Sequence, residues 1–219
     1  MPSQVECTRR LTSPKVVLQL YSTIEVIRKQ RQIANLQRVI RVMEKEYGYK
    51  PTEILQHIHN AVLDKVVVET ITVGCKGSKV GVEQEGYWIP DREQLLSELA
   101  VEKHDWYCFR CHDAGLVVPC ANCSLVYHPD CLTTLESKNI GPKWRCPWCK
   151  KQKQHSTKRE KIELSRCLHF VATQQKESIP ELQQRPTLED FAYYDFLIHS
   201  HYDLTILQGI ARNVCSPLL

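Results

Sequence analysis

A set of cysteine and histidine residues in the middle of the chain restricts the fold more than any other feature of the sequence. The eight residues follow the spacing C-x2-C-x8-C-x2-C-x4-H-x2-C-x14-C-x2-C. They are Cys108, Cys111, Cys120, Cys123, His128, Cys131, Cys146 and Cys149. Two ligands with two residues between them can face one ion, and a structural Zn²⁺ site takes four thiolate or imidazole ligands. The spacing therefore predicts two closed tetrahedral sites and two bound zinc ions.

The sequence argues against several other classes of protein. A site filled by four protein ligands keeps no position open for water, so we expect no catalytic zinc, no enzyme and no small-molecule substrate. The opening residues contain no apolar signal segment, and no run of about eighteen apolar residues occurs, so we expect neither secretion nor a membrane partner. In a reducing compartment the chain's 11 cysteines are metal ligands or free thiols rather than disulfides.

The order and spacing of the ligands resemble those of the PHD finger family. The resemblance implies that Cys108, Cys111, His128 and Cys131 bind one zinc ion, whereas Cys120, Cys123, Cys146 and Cys149 bind the other. It also implies that Trp144 fills the small apolar core of the finger. The RING-CH finger of membrane-associated ubiquitin ligases shares the ligand order, but there one residue normally separates the third and fourth ligands. Here Ala121 and Asn122 separate them, so a ubiquitin ligase is the alternative interpretation.

Residues 16–90 predict three short helices followed by two strands. Apolar residues recur at helical spacing over residues 16–27, Asn35 is placed to cap a second helix, and Gly48 ends it before Pro51. Thr52 is expected to cap the third helix. A β-branched run over residues 66–73 and a second strand at residues 86–90 then enclose a loop rich in glycine and lysine. This order predicts a winged helix, a helix-turn-helix variant with a β-hairpin wing.

The other boundaries follow from composition. Residues 91–104 predict a connecting helix, residues 105–150 the zinc finger, and residues 151–161 a basic linker. A helix is expected to begin at Ile162, within a helical segment that covers residues 162–219. The predicted fold class is therefore α+β.

A closer resemblance is carried by three stretches, RQIANLQRVIRVMEKEYG, VVETITVGCKGSKVGVEQEGYW and HDWYCFRC. They resemble the amino-terminal part of the zinc-finger MYND-domain protein eleven family of chromatin corepressors. The resemblance implies a winged helix, a PHD finger and a bromodomain in a nuclear regulator of transcription. Residues 162–219 match only the start of that bromodomain, through YYDFLIHSHYDLTIL, so we expect an incomplete bromodomain-like segment without the acetyl-lysine-binding asparagine.

The same resemblance allows the histone-reading positions of the finger to be examined. Tyr107 stands where one ring of a methyl-lysine cage can be supplied. Val117 and Val126 occupy two positions where such cages usually carry aromatic residues, and Ala121 replaces an aspartate common in readers of unmodified lysine. We therefore expect the finger to be a rigid module, with histone-tail binding along residues 116–118 weak or absent.

Positive charge is concentrated at the start of the chain and after the finger, with about +6 over residues 1–50 and about +5 over residues 150–166. We expect duplex DNA to be bound through phosphate contacts by Arg28, Lys29, Arg31, Lys76 and Lys79. The predicted function is a nuclear, chromatin-associated adaptor that binds DNA or nucleosomes, with other transcription regulators as possible partners. A protein-docking scaffold without DNA binding is the alternative.

Overall fold

The computed structural model describes residues 7–73, 81–91, 93, 103–152, 157–175, 179, 182–187, 191–198 and 201–215. Helices and strands are mixed along the chain, as predicted. The helices are α1 (Pro14–Lys29), α2 (Leu36–Tyr47), α3 (Pro51–Leu63), α4 (Pro147–Gln152), α5 (Lys158–Gln174), α6 (Tyr194–Leu197) and α7 (Leu204–Cys215). The strands are β1 (Cys7–Thr8), β2 (Val68–Val73), β3 (Glu83–Trp88), β4 (Leu116–Pro119) and β5 (Val126–Tyr127).

The ends of the first helices follow local capping rules, with one correction. Asn35 caps α2 as predicted, because its side chain accepts the amide N–H of Arg38 at 3.1 Å. Gly48 ends the helix in the left-handed conformation, with φ of 74°. The prediction that Thr52 caps α3 is wrong. The helix already begins at Pro51, which suits the first helical position because it needs no N–H donor there.

The first three helices pack around one apolar core. The buried side chains of this core include Val17, Leu20, Tyr21, Ile24, Ile27, Val39, Met43, Ile54 and Ile58. Tyr21 is fully buried, and its hydroxyl donates a hydrogen bond of 2.8 Å to the carbonyl of Val66. Val66 and Val67 are held in this core, which explains why β2 begins at Val68 and not at the start of the β-branched run.

Strands β2 and β3 form an antiparallel hairpin in which Val68 pairs with Trp88 and Val73 with Glu83. The amide of Tyr87 donates to the carbonyl of Ala34 at 2.9 Å, which attaches the hairpin to the turn before α2. The order of three helices and two strands is the one predicted for residues 16–90. The loop at residues 74–80, which contains Lys76 and Lys79, lies outside the described residues.

The cysteine-rich unit, residues 103–152, is built on short strands. Strand β4 pairs antiparallel with β5, so that Val118 faces Tyr127. On its other side β4 pairs with β1, where Cys7 faces Val117 and Thr8 faces Leu116. The strand order is therefore β1-β4-β5. No sequence feature predicted β1.

The segment after the cysteine-rich unit differs from the predicted basic linker at residues 151–161. Helix α4 extends to Gln152, and α5 begins at Lys158 rather than at Ile162. Thr157 and Glu160 form a capping box, in which each side chain accepts an N–H of the other residue. Most of the predicted connecting helix at residues 91–104 lies outside the described residues. Within the described helices, none is long and apolar enough to cross a bilayer.

Candidate metal centre

The eight predicted ligands form two separate clusters. Cys108, Cys111, His128 and Cys131 make the first, and Cys120, Cys123, Cys146 and Cys149 make the second. Within each cluster all four ligand atoms lie within 4.8 Å of one another. The pairs interleave along the chain, because the first and third pairs meet and so do the second and fourth. All eight cysteine and histidine side chains thus lie in a cross-braced arrangement.

The distances within the clusters fit a tetrahedral zinc site. Zinc–sulfur bonds of about 2.3 Å place two sulfur ligands about 3.8 Å apart, and a sulfur and a nitrogen ligand about 3.5 Å apart. The Sγ atoms of Cys123 and Cys146 are 3.7 Å apart. The Nδ1 atom of His128 lies 3.2 Å from Sγ of Cys111 and 3.7 Å from Sγ of Cys131. No described cysteine forms a disulfide. Each cluster could therefore bind one zinc ion, as predicted for the cofactor.

Backbone amides support the sulfur atoms in both clusters. The amides of Arg110 and His128 each donate to Sγ of Cys108 at 3.4 Å. In the second cluster, the amides of Asn122 and Cys146 donate to Sγ of Cys120 at 3.4 and 3.3 Å. Such N–H donors stabilise a thiolate over a thiol and orient it, as is usual around metal-binding sulfur.

The thiols consequently differ in acidity. Burial raises the pKa of Cys120, but the N–H groups of Cys146 and Asn122 outweigh it and bring the pKa down to about 7. Burial raises the pKa of Cys146 to about 11 and that of Cys131 to about 12, with neighbouring thiols adding to the effect. Zinc must displace these protons, so metal binding to the clusters depends on pH.

Around the second cluster lies the small apolar core of the unit. Trp144 is 3% exposed and packs with Val118, Tyr127 and Leu132. Its indole N–H donates to the carbonyl of Glu136 at 3.1 Å, so the one polar atom of the ring is satisfied. Trp144 thus belongs to the apolar core of this unit.

The histone-reading positions named in the sequence analysis lie mostly inside the unit. Val117 and Val126 are fully buried against Cys108 and Cys131, inside the unit rather than on a binding surface. Tyr107 is also turned inward, and its hydroxyl accepts a hydrogen bond of 3.0 Å from Arg10. Burial raises the pKa of Tyr107 despite this cation. The ring of Tyr107, which stands at a cage position in the resemblance, therefore contacts an arginine of the same chain.

Three of the five residues predicted to contact DNA lie among the described residues. Arg28, Lys29 and Arg31 are exposed at the end of α1. The guanidinium carbon of Arg28 lies 3.9 Å from the ring centroid of Trp88, which is a cation–π contact with the hairpin. Arg31 follows the helix with a positive φ of 56°. Lys76 and Lys79 lie outside the described residues.

Sequence reasoning missed two polar residues that join distant parts of the chain. Arg10 is 3% exposed, and its guanidinium carbon lies 3.6 Å from the centroid of Trp106. The carboxylate of Asp64 accepts the amide N–H groups of Leu11 and Thr12 at 2.9 and 2.7 Å. In the sequence these residues appear only as a pair of arginines before the first helix and an acidic residue just after α3. Neither feature by itself indicates a contact between distant parts of the chain.

Comparison with known proteins gives short matches. No protein-family model matches the chain. A histone-lysine N-methyltransferase, H3 lysine-36 specific, from Homo sapiens is 37% identical over 75 residues, which is 33% of this chain and 2% of that protein. The Mus musculus protein of the same name is 45% identical over 59 residues, or 26% of this chain and 2% of that protein. The chain thus spans about 2% of the length of these relatives. Because the matches cover so small a part of these proteins, they transfer no methyltransferase activity to this chain.

Proposed function

We propose that this protein is a nuclear, chromatin-associated adaptor whose cysteine-rich unit is a PHD-type finger stabilised by two zinc ions. The observation that carries the proposal is the interleaving of the two four-ligand clusters, together with a local likeness to histone-lysine methyltransferases. Cys108, Cys111, His128 and Cys131 would hold one ion, and Cys120, Cys123, Cys146 and Cys149 the other. All eight ligands are protein groups, so zinc supplies folding energy and not chemistry on a substrate.

Residues 14–91 would act as a winged helix that contacts DNA phosphates. Support comes from the element order and from the exposed cations Lys29 and Arg31 at the end of α1. Arg28 is held by Trp88, so the end of α1 contacts the hairpin where Trp88 pairs with Val68. Lys76 and Lys79, which lie outside the described residues, are the further cations proposed to contact phosphates. Such contacts bind duplexes of any sequence.

A protein-docking role is the second candidate, and a specific observation favours it. The hairpin exposes the apolar side chains of Ile71, Val73 and Val82, with 70%, 51% and 50% of their surface accessible. Glu83 and Glu85 lie on the adjoining strand and repel phosphate. An apolar and acidic hairpin suits a protein partner better than DNA.

The experiment that separates the two roles is binding of the full chain to reconstituted mononucleosomes with free duplex as competitor. If the protein binds nucleosomes through DNA, free duplex should displace it from them. The complexes should also weaken as the salt concentration rises. Absence of binding to both nucleosomes and duplex, with two zinc ions present in the protein, would leave docking to another protein as the function.

A further inference from the structure

One face of the β2–β3 hairpin is both apolar and acidic. Successive side chains of a strand point to opposite faces, so Ile71 and Val73 share one face of β2. The register places Glu85 directly opposite Ile71, and Glu83 directly opposite Val73. All four of these residues are exposed. We call them the hairpin face.

Two parallel rows of different chemistry run along the hairpin face. Along β2, Ile71 and Val73 are about 6.6 Å apart, which is twice the rise per residue of a strand. Across the hairpin, the Cβ atom of each apolar residue lies about 5 Å from that of the glutamate opposite, as in any directly paired positions. The surface therefore offers two apolar contacts bordered on one side by two negative charges.

The hairpin face is fixed in place at its base. Tyr87 follows Glu85 on the same side of β3 and packs against the core of the first three helices, and its amide donates to the carbonyl of Ala34 at 2.9 Å. Glu69, which is opposite Tyr87, forms a side-chain hydrogen bond with it. The face is thus ordered at this end before any partner arrives, which reduces the entropy lost on binding.

The charge of the hairpin face restricts what can cover it. Glu83 and Glu85 repel the phosphates of DNA, and Glu69 adds a third carboxylate on the same side of the hairpin. A second copy of this chain is also disfavoured, because two such faces would bring like charges together. Exposed apolar side chains beside carboxylates are complementary to a protein surface that is both apolar and basic.

We propose that the hairpin face is a docking site for a basic amphipathic helix of a partner protein. Helix side chains three and four positions apart are neighbours, with Cβ atoms about 5–6 Å apart. A helix with apolar residues at positions i and i+4, and Lys or Arg at i+3 and i+7, therefore matches the spacing of both rows. Its apolar residues cover Ile71 and Val73, and its cations pair with the two glutamates. The inference rests on the protein-docking role proposed above and not on DNA binding.

The test uses a fluorescein-labelled peptide of four Leu-Ala-Gln-Lys repeats, which has leucine and lysine at these spacings. It is titrated by fluorescence anisotropy into the full chain, the Ile71→Thr/Val73→Thr variant and a control, Leu164→Ala. Threonine keeps the β-branched shape that suits a strand, and Leu164 on α5 is as exposed as Ile71, at 69% against 70%. We expect saturable binding by the wild type and the control, and at least about tenfold weaker binding by the double variant. Equal binding by the double variant and the wild type would overturn the proposal.

The acidic row is tested with Glu83→Gln/Glu85→Gln. Its control is Glu44→Gln/Glu46→Gln on α2, which removes the same charge from another exposed place. We expect the hairpin variant to bind the peptide severalfold more weakly and to lose most of the salt dependence, because ions screen exposed charge pairs. The α2 control should match the wild type. If both variants lose the same affinity, the peptide responds only to net charge and the proposal is wrong.

Two further peptides separate the properties that the site is expected to recognise. Leu-Ala-Gln-Glu repeats keep the apolar row but reverse its charge, and Ser-Ala-Gln-Lys repeats keep the cations without the apolar row. We expect each to bind the wild type at least about tenfold more weakly than the Leu-Ala-Gln-Lys peptide. Equal binding of either would refute the proposal. Sedimentation of the wild-type chain as a dimer that Ile71→Thr/Val73→Thr abolishes would identify a second copy as the occupant and would refute it as well.

Parallel titration of the same proteins with mononucleosomes and free duplex separates this inference from the proposed adaptor function. We expect Ile71→Thr/Val73→Thr to bind both as the wild type does, because it removes no charge. Peptide binding by a chain that binds neither nucleosomes nor duplex would support the docking site and contradict the DNA role. Nucleosome binding without peptide binding would refute the docking site and leave the adaptor function in place.

Discussion

The Nδ1 atom of His128 lies 3.2 Å from the Sγ atom of Cys111, although 17 positions separate the two residues in the chain. This contact joins the first ligand pair to the third, and it spans the second pair at Cys120 and Cys123. The loop that joins two ligand pairs of one cluster carries a ligand pair of the other cluster. Neither cluster can therefore form unless that loop is in place. Loss of one ligand is therefore expected to affect both sites.

We expect purified protein to carry two zinc ions per chain, and removal of both to unfold residues 103–152. Zinc binding in small fingers is worth about 10–16 kcal/mol, and in such domains it is folding energy. Cys120→Ala or His128→Ala should have the same effect as a chelator. The measurement is native mass spectrometry together with near-ultraviolet circular dichroism. Fewer than two zinc ions in untreated wild-type protein would contradict the assignment, and Cys167→Ala, an exposed thiol outside both clusters, is the matched control.

Gly115→Ala is expected to destabilise the first cluster. Gly115 has φ of 136°, a conformation that L residues rarely adopt, and a Cβ there would lie 3.2 Å from Nε2 of His128. Backbone strain of this kind costs about 1–3 kcal/mol. The variant should release zinc at a lower chelator concentration than the wild type.

The control for this variant is Gly209→Ala, because a Cβ at Gly209 would meet nothing within 4 Å. Gly209 lies inside α7, where alanine favours the helix. If Gly115→Ala and Gly209→Ala release zinc at the same chelator concentration, the close approach of Gly115 to His128 has no energetic consequence.

The full chain is expected to bind trimethylated, unmodified and acetylated histone peptides no more tightly than about millimolar, or about −4 kcal/mol. Val117 and Val126 are buried, Tyr107 is engaged by Arg10, and residues 116–117 are paired with β1. Isothermal titration calorimetry measures this directly. Low-micromolar affinity of the wild-type chain for any of the three peptides would disprove the expectation.

The sequence predicted those features that are set by neighbouring residues. The spacing of the ligands led to two clusters, and Asn35 and Gly48 marked the ends of α2, because capping is local. The capping box of Thr157 and Glu160 also has a sequence signature, which is threonine followed three residues later by glutamate. The basic composition of residues 150–161 favoured a linker instead.

Contacts between distant residues could not be predicted in this way. Strand β1 has two residues, too few for an alternating pattern, and its partner lies more than one hundred positions away. The burial of Arg10 depends on the adjacent rings of Trp106 and Tyr107 and on the carbonyl of Phe196, which come from two later segments of the chain. Likewise, the burial of Val117 depends on its packing with Cys108 and Val126, which lie in other segments of the chain.

DNA binding, if it resides in residues 14–91, should show a defined dependence on salt. Three or four of the cations Arg28, Lys29, Arg31, Lys76 and Lys79 would contact phosphates, and each contact contributes about −0.9 to the slope of log affinity against log salt. We expect a slope of about −3 to −4. Replacing Lys76 and Lys79 together by alanine should flatten it by about two and weaken binding to all duplex sequences alike.

The competing basic surface lies after the cysteine-rich unit, where Lys151 and Lys161 are exposed near the ends of α4 and α5. The double variant Lys151→Ala/Lys161→Ala removes the same amount of positive charge as the Lys76→Ala/Lys79→Ala variant and serves as its matched control. Because Arg28 is stacked on Trp88, Trp88→Ala should also weaken binding if the end of α1 and the hairpin form one surface. A salt slope that flattens only in the Lys151/Lys161 variant would mean that the second basic segment binds the duplex. The exposed Ile71, Val73 and Val82 would then mark the hairpin as a surface for another protein.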